Sequence, residues 1–242
     1  MFVVGHRGYP VKFPENTIPS FQAAIRVGAK GVELDVHMTA DGQLVVIHDP
    51  TLRRTTDGQG EVANHTLSEI KRLEAGVRWG MSGVRVPTLS EVFREVNAEL
   101  FIVELKQGLS SPYPGIEKKV VETISSCRPA GEVMVNSADP SSLAKVKEID
   151  ERISTCLTVD GNIESSLQAA KAAAVDGLHV NFKAATAQGV SLAKSKGLRV
   201  GLWTPNKESE LLEAISCGPD WITSSYVEKA LATLRLRGET AP

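Results

Sequence analysis

The amino-acid sequence predicts an α/β protein of the TIM (β/α)8 barrel class, and three observations support this prediction. The chain has 242 residues, 42% of them hydrophobic, which is enough for one large core and is a usual size for a barrel built as a single domain. Short apolar runs, each followed by a helical pattern, occur eight times along the chain. No Gly-x-Gly-x-x-Gly motif follows the first run, which disfavours the alternative, a doubly wound open sheet. We therefore expect one domain that covers residues 1–242.

The first apolar run, residues 2–5, predicts a short buried strand that ends at His6. A helix is predicted to follow, with Asn16 or Thr17 as its N-cap. Residues 32–37 then predict the second strand. Because a helix connects these two strands, we expect them to lie parallel.

A hairpin is predicted directly after the second strand. Residues 40–42, Ala-Asp-Gly, are a turn signal, and residues 44–47 predict an antiparallel return strand. The return places His48 opposite Asp35, and Glu33 shares the face of Asp35 because the two are two residues apart. Carboxylates on one face repel each other unless a proton or a cation lies between them. Both a cation site and a solvent-exposed strand face fit this local pattern.

Residues 51–87 lack the regular alternation of the rest of the chain and are rich in Gly, Thr and Asp in their first third. Residues 66–69, Thr-Leu-Ser-Glu, form a capping box and predict a short helix. A connection of this length is more often functional than idle. We therefore expect an insertion that lies over one end of the barrel.

After the insertion the alternation resumes, starting with a helix that Ser90 is predicted to cap and that ends at Val96. Six further strands are predicted at residues 100–106, 132–136, 153–157, 178–181, 199–203 and 221–223. Helices are predicted between and after them at residues 114–126, 140–148, 163–174, 185–196, 207–215 and 227–235.

Acidic residues are predicted near the C-terminal ends of the barrel strands, where TIM barrels carry their active sites. Glu33 and Asp35 on the second strand and Glu104 on the next barrel strand could bind one divalent cation through oxygen atoms. A carboxylate that ends an apolar strand needs a partner. The alternative for Glu104 is a structural ion pair with Lys106, two residues further along the same face.

Two histidines are predicted beside these acids, His6 after the first strand and His48 after the hairpin. Two histidines near a metal can serve as general base and general acid. Arg7 adds a bidentate anion contact and Lys106 a point charge, while Trp203 ends the seventh barrel strand. A cation, an arginine and a lysine around two histidines indicate a phosphate-ester site rather than a site for carbonyl reduction or for sugars.

The order and spacing of these residues resemble the glycerophosphodiester phosphodiesterase family through the first half of the chain. The resemblance is carried by His6-Arg7-Gly8, Pro14-Glu15-Asn16-Thr17, Glu33-Leu34-Asp35-Val36, Thr39-x-Asp41-Gly42, Val45-Val46-x-His48-Asp49, Thr51-Leu52-x-Arg54-Thr55-Thr56-x-Gly58 and Glu104-x-Lys106. The combined motif is highly specific, although each piece alone is weak. The second half is similar mainly through Trp203-Thr204.

The resemblance implies a TIM barrel with a small insertion after the hairpin, and hydrolysis of glycerophosphodiesters to sn-glycerol 3-phosphate and an alcohol. It also implies that the glycerol 2-hydroxyl attacks phosphorus and that water opens the cyclic phosphate formed. It leaves open which histidine is the acid and which the base. The implied roles are one Mg²⁺ or Ca²⁺ bound by Glu33, Asp35 and Glu104, acid/base catalysis by His6 and His48, phosphate contacts by Arg7 and Lys106, and a pocket wall from Trp203.

The chain departs from the family pattern in two places. It has Thr223-Ser224-Ser225-Tyr226 where the family often has Thr-Asp-x-Pro, and Asn136-Ser137-Ala138 where the family strand often ends in Ser-Phe. Neither departure is expected to touch the metal or the histidines, so substrate preference should change rather than reaction type. Two other functions stay open: a lysophospholipase D-type lipid phosphodiesterase, which needs an apolar groove beside the metal, and a non-catalytic glycerol-phosphate-binding barrel.

Composition limits the partners. The net charge is −2 and the basic residues are dispersed, so we expect a small-molecule substrate and no nucleic acid. The three cysteines include no Cys-x-x-Cys, which argues against a disulfide framework or a zinc site. No stretch has the length of a membrane span, and we expect a soluble, cytoplasmic protein.

Several other polar and aromatic residues are interpreted as structural. Asp49 either orients His48 or caps the turn at Pro50, and His37 has a substrate contact as its alternative. The remaining residues interpreted as surface or packing residues are His65, His179, Trp79 and Trp221.

Overall fold

The computed structural model describes residues 1–109 and 112–238, and within these residues the chain folds as a closed barrel of eight parallel strands with one additional strand. The strands are β1 (Phe2–His6), β2 (Gly31–Met38), β3 (Leu44–Val46), β4 (Leu100–Leu105), β5 (Glu132–Ser137), β6 (Ser154–Val159), β7 (Gly177–Asn181), β8 (Arg199–Trp203) and β9 (Trp221–Ser224). The α-helices are α1 (Ile18–Arg26), α2 (Leu67–Ile70), α3 (Leu89–Glu95), α4 (Ile116–Cys127), α5 (Pro140–Ile149), α6 (Ile163–Ala172), α7 (Ala187–Ser195), α8 (Glu208–Ser216) and α9 (Val227–Leu236).

The barrel closes through β1, which pairs in parallel with both β2 and β9. The other barrel strands pair with their neighbours in chain order, and β3 pairs with the end of β2 in antiparallel register. Helices follow the strands and pack on the outside of the sheet, because parallel neighbours need a long crossover connection between them. The predicted TIM barrel, the parallel first unit and the hairpin are confirmed.

The interior of the barrel is layered. An apolar layer, separate from the main core between sheet and helices, contains Val4, Ile102, Met134 and Cys156 together with Trp221. Side chains two positions apart on a strand share a face, so the next inward-facing layer is two residues further along each strand. That layer holds the polar residues His6, Glu104, Asn136 and Thr158.

Trp221 is a packing residue of this apolar layer, as predicted, with 1% of its surface exposed. The indole lies against Gly201 of the neighbouring strand β8, where a Cβ atom would be 1.9 Å from the ring. Only glycine therefore leaves room for Trp221, and the pair closes the floor beneath the polar layer.

The second strand is longer than predicted. Glu33 and Asp35 were expected at its end, but β2 continues to Met38. On one side the end of β2 pairs with β3, with Val36 opposite Val46, and on the other side Val36 still pairs with Leu105 of the barrel strand β4. The two acids therefore lie within a continuous strand that is paired on both sides, which fixes their direction.

Of two predicted helix starts, that of α3 differs from the prediction and that of α1 agrees with it. The N-cap of α3 is Thr88, whose side chain forms a capping box with Glu91, so the prediction of Ser90 was wrong by two residues. Thr17 is at the N-cap position of α1, but its hydroxyl donates to the carbonyl of Pro14 and does not cap the helix.

The insertion at residues 51–87 has a small core of its own. Its apolar side chains pack with Val45 and Ile47 of the hairpin, and the predicted capping box is present between Thr66 and Glu69. The insertion therefore builds outward from β3, beside the end of the barrel that carries the polar layer. Among the residues described, none of the helices has the length and hydrophobicity to cross a bilayer.

Candidate active site

Strand register brings the three predicted acids together. His6 of β1 lies beside Glu33 of β2, and Asp35 of β2 lies beside Glu104 of β4. One oxygen atom from each of Glu33, Asp35 and Glu104 lies within 4.8 Å of the other two. Glu33 and Asp35 are buried and Glu104 is half-buried. The acids therefore form one cluster in the polar layer of the barrel.

Asp35 has the largest number of charged and polar contacts in the cluster. Its Oδ2 accepts a hydrogen bond from Asn16 Nδ2 at 2.7 Å and lies 3.3 Å from Arg7 Nε. Its Oδ1 lies 3.0 Å from Lys106 Nζ, although this ion pair lacks hydrogen-bond geometry and no described residue donates to the oxygen. Lys106 instead donates to Glu104 Oε1 at 2.7 Å. Both expected partners of Glu104, the other acids and Lys106, are therefore present.

The charges around the cluster shift the acids in opposite directions. Burial alone would raise the pKa of Asp35, but Lys106 and Arg7 outweigh burial and hold that pKa below its ordinary value. Burial, and then the negative charges of Asp35 and Glu104, raise the pKa of Glu33 well above its ordinary value. Burial and Asp35 raise the pKa of Glu104 in the same way. Glu33 and Glu104 thus favour a proton or another cation.

The donor set fits a hard divalent cation. All three groups offer carboxylate oxygens, which Mg²⁺ and Ca²⁺ prefer, and no sulfur or imidazole is among them. Asp35 Oδ1 is a buried oxygen that accepts no hydrogen bond from the described residues. Its contact is the ion pair with Lys106, and three carboxylates this close together favour further positive charge between them.

His48 is held on two sides. Its Nδ1–H donates to Asp49 Oδ1 at 2.7 Å, which leaves Nε2 for the cavity. Its backbone carbonyl accepts a hydrogen bond from His37 Nε2 at 2.9 Å, and the Tyr113 hydroxyl donates to His37 Nδ1 at 2.8 Å. Asp49 therefore orients His48, which decides between its two predicted roles, and the buried His37 anchors the backbone of the residue that follows the hairpin.

His6 has a different partner. Its Nδ1 lies 2.9 Å from the hydroxyl of Ser225, and its Nε2 lies 4.0 Å from Glu33 Oε2. Burial, and then the charge of Arg7, lower the pKa of His6 to about 3, so the ring is neutral at neutral pH. Ser225 is at the x position of the family pattern Thr-Asp-x-Pro, between the departing residues Ser224 and Tyr226. The Ser224 hydroxyl itself contacts the Pro205 carbonyl and Asn206 and not a histidine.

A neutral wall faces the acids across the cavity. The indole N–H of Trp203 donates to the backbone carbonyl of His179 at 2.9 Å. His179 Nε2–H donates to the Thr223 hydroxyl, its Nδ1 accepts from Asn136 Nδ2, and Asn136 accepts from Thr158. Burial, and then the charge of Lys106, lower the pKa of His179 to about 3. The histidine is thus a neutral part of the wall rather than a surface residue.

These groups surround one cavity of about 250 Å³. The lining contains seven of the eight predicted site residues, and the eighth, Asp35, lies beneath them in the acid cluster. A larger groove of about 750 Å³ is outside the barrel beside α6, and its lining contains none of the eight. The cavity is lined by His6, Arg7, Glu33, His48, Glu104, Lys106, Thr158, His179, Trp203 and Thr204.

Sequence reasoning missed Asn16 and the neutral wall. Asn16 was considered only as a helix cap, but its φ of 57° turns the backbone so that the side chain binds both the carboxylate and the backbone N–H of Asp35. A signal for His179 was available, because a polar residue between Leu178 and Val180 in an apolar strand needs a buried partner.

An acid cluster, two imidazoles and two cationic side chains around one small cavity, at the C-terminal ends of barrel strands, define a hydrolase of phosphoric esters. The sequence model of the Glycerophosphoryl diester phosphodiesterase family matches residues 6–229. The chain belongs to this family and is a phosphoric diester hydrolase.

Individual relatives agree with the family. A glycerophosphodiester phosphodiesterase of Caldanaerobacter subterraneus subsp. tengcongensis is 35% identical over 240 residues, covering 98% of each chain. One from Bacillus subtilis is 30% identical over 93% of this chain and 84% of its own. Among solved structures, an Oleispira antarctica phosphodiesterase in complex with the product sn-glycerol-3-phosphate is 28% identical, covers 97% of each chain and has a TM-score of 0.86.

Proposed function

We propose that this protein hydrolyses glycerophosphodiesters to sn-glycerol 3-phosphate and an alcohol, with one bound Mg²⁺ or Ca²⁺. The observation that carries the proposal is the convergence of three acids, two histidines and two cationic side chains on one 250 Å³ cavity. The product bound to the Oleispira antarctica relative supports the same substrate class.

Glu33, Asp35 and Glu104 would hold the cation. Such an ion supplies positive charge to the phosphoryl oxygens as negative charge builds on them. Lys106 and Arg7 line the same cavity and are the chain's own groups for that task. Both are already tied to the acids, Lys106 to Glu104 and Arg7 to Asp35, so each is fixed before substrate binds.

The partners of the two histidines support different roles. His48 has a carboxylate behind its Nδ1, an arrangement that orients an imidazole and stabilises the charge of its protonated form. His6 has a hydroxyl behind its Nδ1 and Arg7 nearby, so its neutral form is favoured. We assign His6 as the base that takes the proton of the attacking hydroxyl, and His48 as the acid that protonates the leaving oxygen.

The cavity favours small, water-soluble diesters. Nine of the ten residues that line it have a polar or charged side chain, and the tenth is Trp203. This lining favours a water-soluble diester over the lipid substrate of a lysophospholipase D-type enzyme. Trp203 is the flat apolar surface against which the glycerol or alcohol part would pack. A single domain over residues 1–242 and a cytoplasmic location are parts of the same proposal.

Alanine variants of the two histidines test the proposal. With glycerophosphocholine and Mg²⁺ or Ca²⁺, His6→Ala and His48→Ala should each lower kcat by about 10²- to 10⁴-fold, the usual value of general acid or base catalysis. Wild-type release of glycerol 3-phosphate is the reference. Unchanged turnover in both variants would refute the catalytic assignment, and product binding without any turnover in the wild type would establish the non-catalytic alternative.

A second substrate separates the acid from the base. The p-nitrophenyl ester of glycerol 3-phosphate has a leaving group that departs without protonation. With this substrate His48→Ala should regain most of its lost rate, whereas His6→Ala should stay slow. Recovery in His6→Ala instead would reverse the two roles.

A further inference from the structure

Arg54 of the insertion is the second partner of Asp49. Its Nε donates to Asp49 Oδ2 at 2.7 Å and its NH2 donates to Asp49 Oδ1 at 2.9 Å, a bidentate contact. Asp49 Oδ1 is also the atom that accepts the Nδ1–H of His48. One carboxylate thus joins the guanidinium of Arg54 to the imidazole that lines the cavity.

The other side of Arg54 binds Glu15 in the loop after β1. NH1 donates to Glu15 Oε2 at 2.9 Å and NH2 donates to Glu15 Oε1 at 2.7 Å. Glu15 in turn accepts a hydrogen bond from Arg7 NH1 at 3.0 Å, and Arg7 Nε lies 3.3 Å from Asp35. Alternating charges therefore run from the acid cluster to Asp49.

We propose that Arg54 is a positioning residue: it clamps Asp49 against Glu15 so that His48 is kept in one tautomer and one orientation, with Nε2 directed at the cavity. His48 and Asp49 follow the hairpin, and Asp49 is partly exposed, with 25% of its side chain accessible. A free carboxylate there would have several rotamers, of which only some meet His48. Two bidentate contacts select one of them. The expected effect of Arg54 on turnover rests on the proposed catalytic role of His48. The expected effect of Arg54 on the His48 tautomer does not.

Position in the fold supports this assignment over a purely structural ion pair. Arg54 links the insertion to the loop after β1, and both of its acid partners contact a residue that lines the cavity. Lys71 of the same insertion bridges Glu91 and the carbonyl of Val86, and neither partner lines the cavity. The Lys71 and Arg54 side chains are similarly exposed, 31% and 33%, so Lys71→Ala is a matched control.

The test combines kinetics with NMR of the histidine ring. Arg54→Ala should lower kcat by about 10- to 100-fold with KM changed less than about threefold, as expected when a supporting contact rather than a substrate contact is lost. Arg54→Lys should be intermediate because an ammonium cannot make the bidentate contact. Lys71→Ala, and Ala at the exposed neighbour Arg53, should keep wild-type kinetics.

The ¹⁵N shifts of the His48 ring report its tautomer without reference to activity. Wild-type protein should show protonated Nδ1 and unprotonated Nε2, and Arg54→Ala should show a mixture of tautomers. Asp49→Asn serves as the reference for a lost Nδ1 acceptor. An unchanged His48 tautomer in a folded Arg54→Ala variant, or wild-type kcat in that variant, would overturn the proposal. If His48→Ala is fully active while the tautomer still shifts, the proposed function fails and the positioning role stands.

Discussion

The cavity has two unlike halves. One half, built by β1, β2, β4 and the hairpin, carries every charged group that lines it, and its two cationic side chains form ion pairs, Arg7 with Asp35 and Lys106 with Glu104. The other half, built by β5 to β9, consists of neutral groups that hydrogen-bond to one another, with Thr158, His179 and Trp203 at the cavity surface.

The two halves therefore differ in what they are expected to contribute to catalysis and to substrate binding. In the charged half, burial strengthens each interaction, so small displacements of charge change the energy of a phosphoryl group strongly. In the neutral half the polar atoms are already paired inside the wall, which leaves a ring face and a rigid shape for the substrate. We therefore expect changes in the charged half to alter kcat and changes in the neutral half to alter KM or stability.

The largest effect should come from Asp35→Asn. This change keeps the shape of the side chain but removes the charge that faces Lys106 and Arg7 and the oxygen set proposed for the cation. We expect kcat to fall by about 10³-fold, and stabilisation by Mg²⁺ or Ca²⁺ in a thermal melt to disappear. Asp41→Asn, which alters an exposed acid of the same hairpin, is the control and should keep both properties. A cation-stabilised Asp35→Asn variant would contradict the metal assignment.

Lys106→Gln should have the next largest effect and should separate binding of the cation from turnover. The ammonium lies 3.0 Å from Asp35 and 2.7 Å from Glu104, so it competes with a cation for the same carboxylates. We expect tighter Mg²⁺ binding by calorimetry together with a kcat lowered by about 10²-fold, because a donor to the phosphoryl oxygens is lost.

Lys30→Gln is the control for Lys106→Gln, since Lys30 also pairs with a glutamate but lies before the start of β2, at the opposite end of the barrel. It should change neither quantity. Weaker Mg²⁺ binding in Lys106→Gln would mean that the lysine supports the cation site and does not compete with it.

The two halves also differ in how far the sequence predicts them. The charged half is local in sequence: Glu33 and Asp35 share a strand face, and the hairpin brings His48 back beside them, so strand periodicity alone places these three together. Eight apolar runs likewise predict the barrel. Glu104 needed the additional inference that β4 is the next barrel strand, and register confirms that β4 lies beside β2.

The neutral half could not be predicted in this way. Asn136, Thr158 and His179 lie in three separate strands, and only the pairing of these strands in the barrel brings them into contact. The same holds for Ser225, which meets His6 because β9 pairs with β1 across a sequence separation of 219 residues. Local periodicity carries no information about such contacts.

Trp203→Ala tests whether the neutral half acts mainly on substrate binding. Loss of the ring face should raise KM for glycerophosphocholine by roughly tenfold and change kcat less, which corresponds to about 1.5 kcal/mol of aromatic contact. Trp203→Phe keeps a ring and should lie close to wild type in KM, although it loses the hydrogen bond to His179. A kcat loss that exceeds the KM change would show that the two halves are not separate in function.

The substitution His179→Gln should have the smallest effect on turnover. The charge state of His179 should instead affect the free energy of unfolding. The pKa of His179 in the folded protein is lowered to about 3, against 6.5 in the unfolded chain. Between these values the unfolded chain binds more protons, so the free energy of unfolding rises with pH across this window. The contribution of His179 is fully present only above about pH 6.5.

As pH falls through the window, His179 alone should therefore remove up to about 1.4 kcal/mol of stability per pH unit. Urea unfolding of wild type and His179→Gln between pH 7.5 and 4.5 measures this slope, with the pH 7.5 difference subtracted as the constant cost of the substitution. The slope of the unfolding free energy against pH should be smaller in the variant, by up to the value that corresponds to one bound proton. His6, also neutral when buried, contributes to the slope of both proteins equally and cancels in the comparison. Equal slopes would mean that His179 can be protonated in the folded protein and that burial in the wall does not keep it neutral.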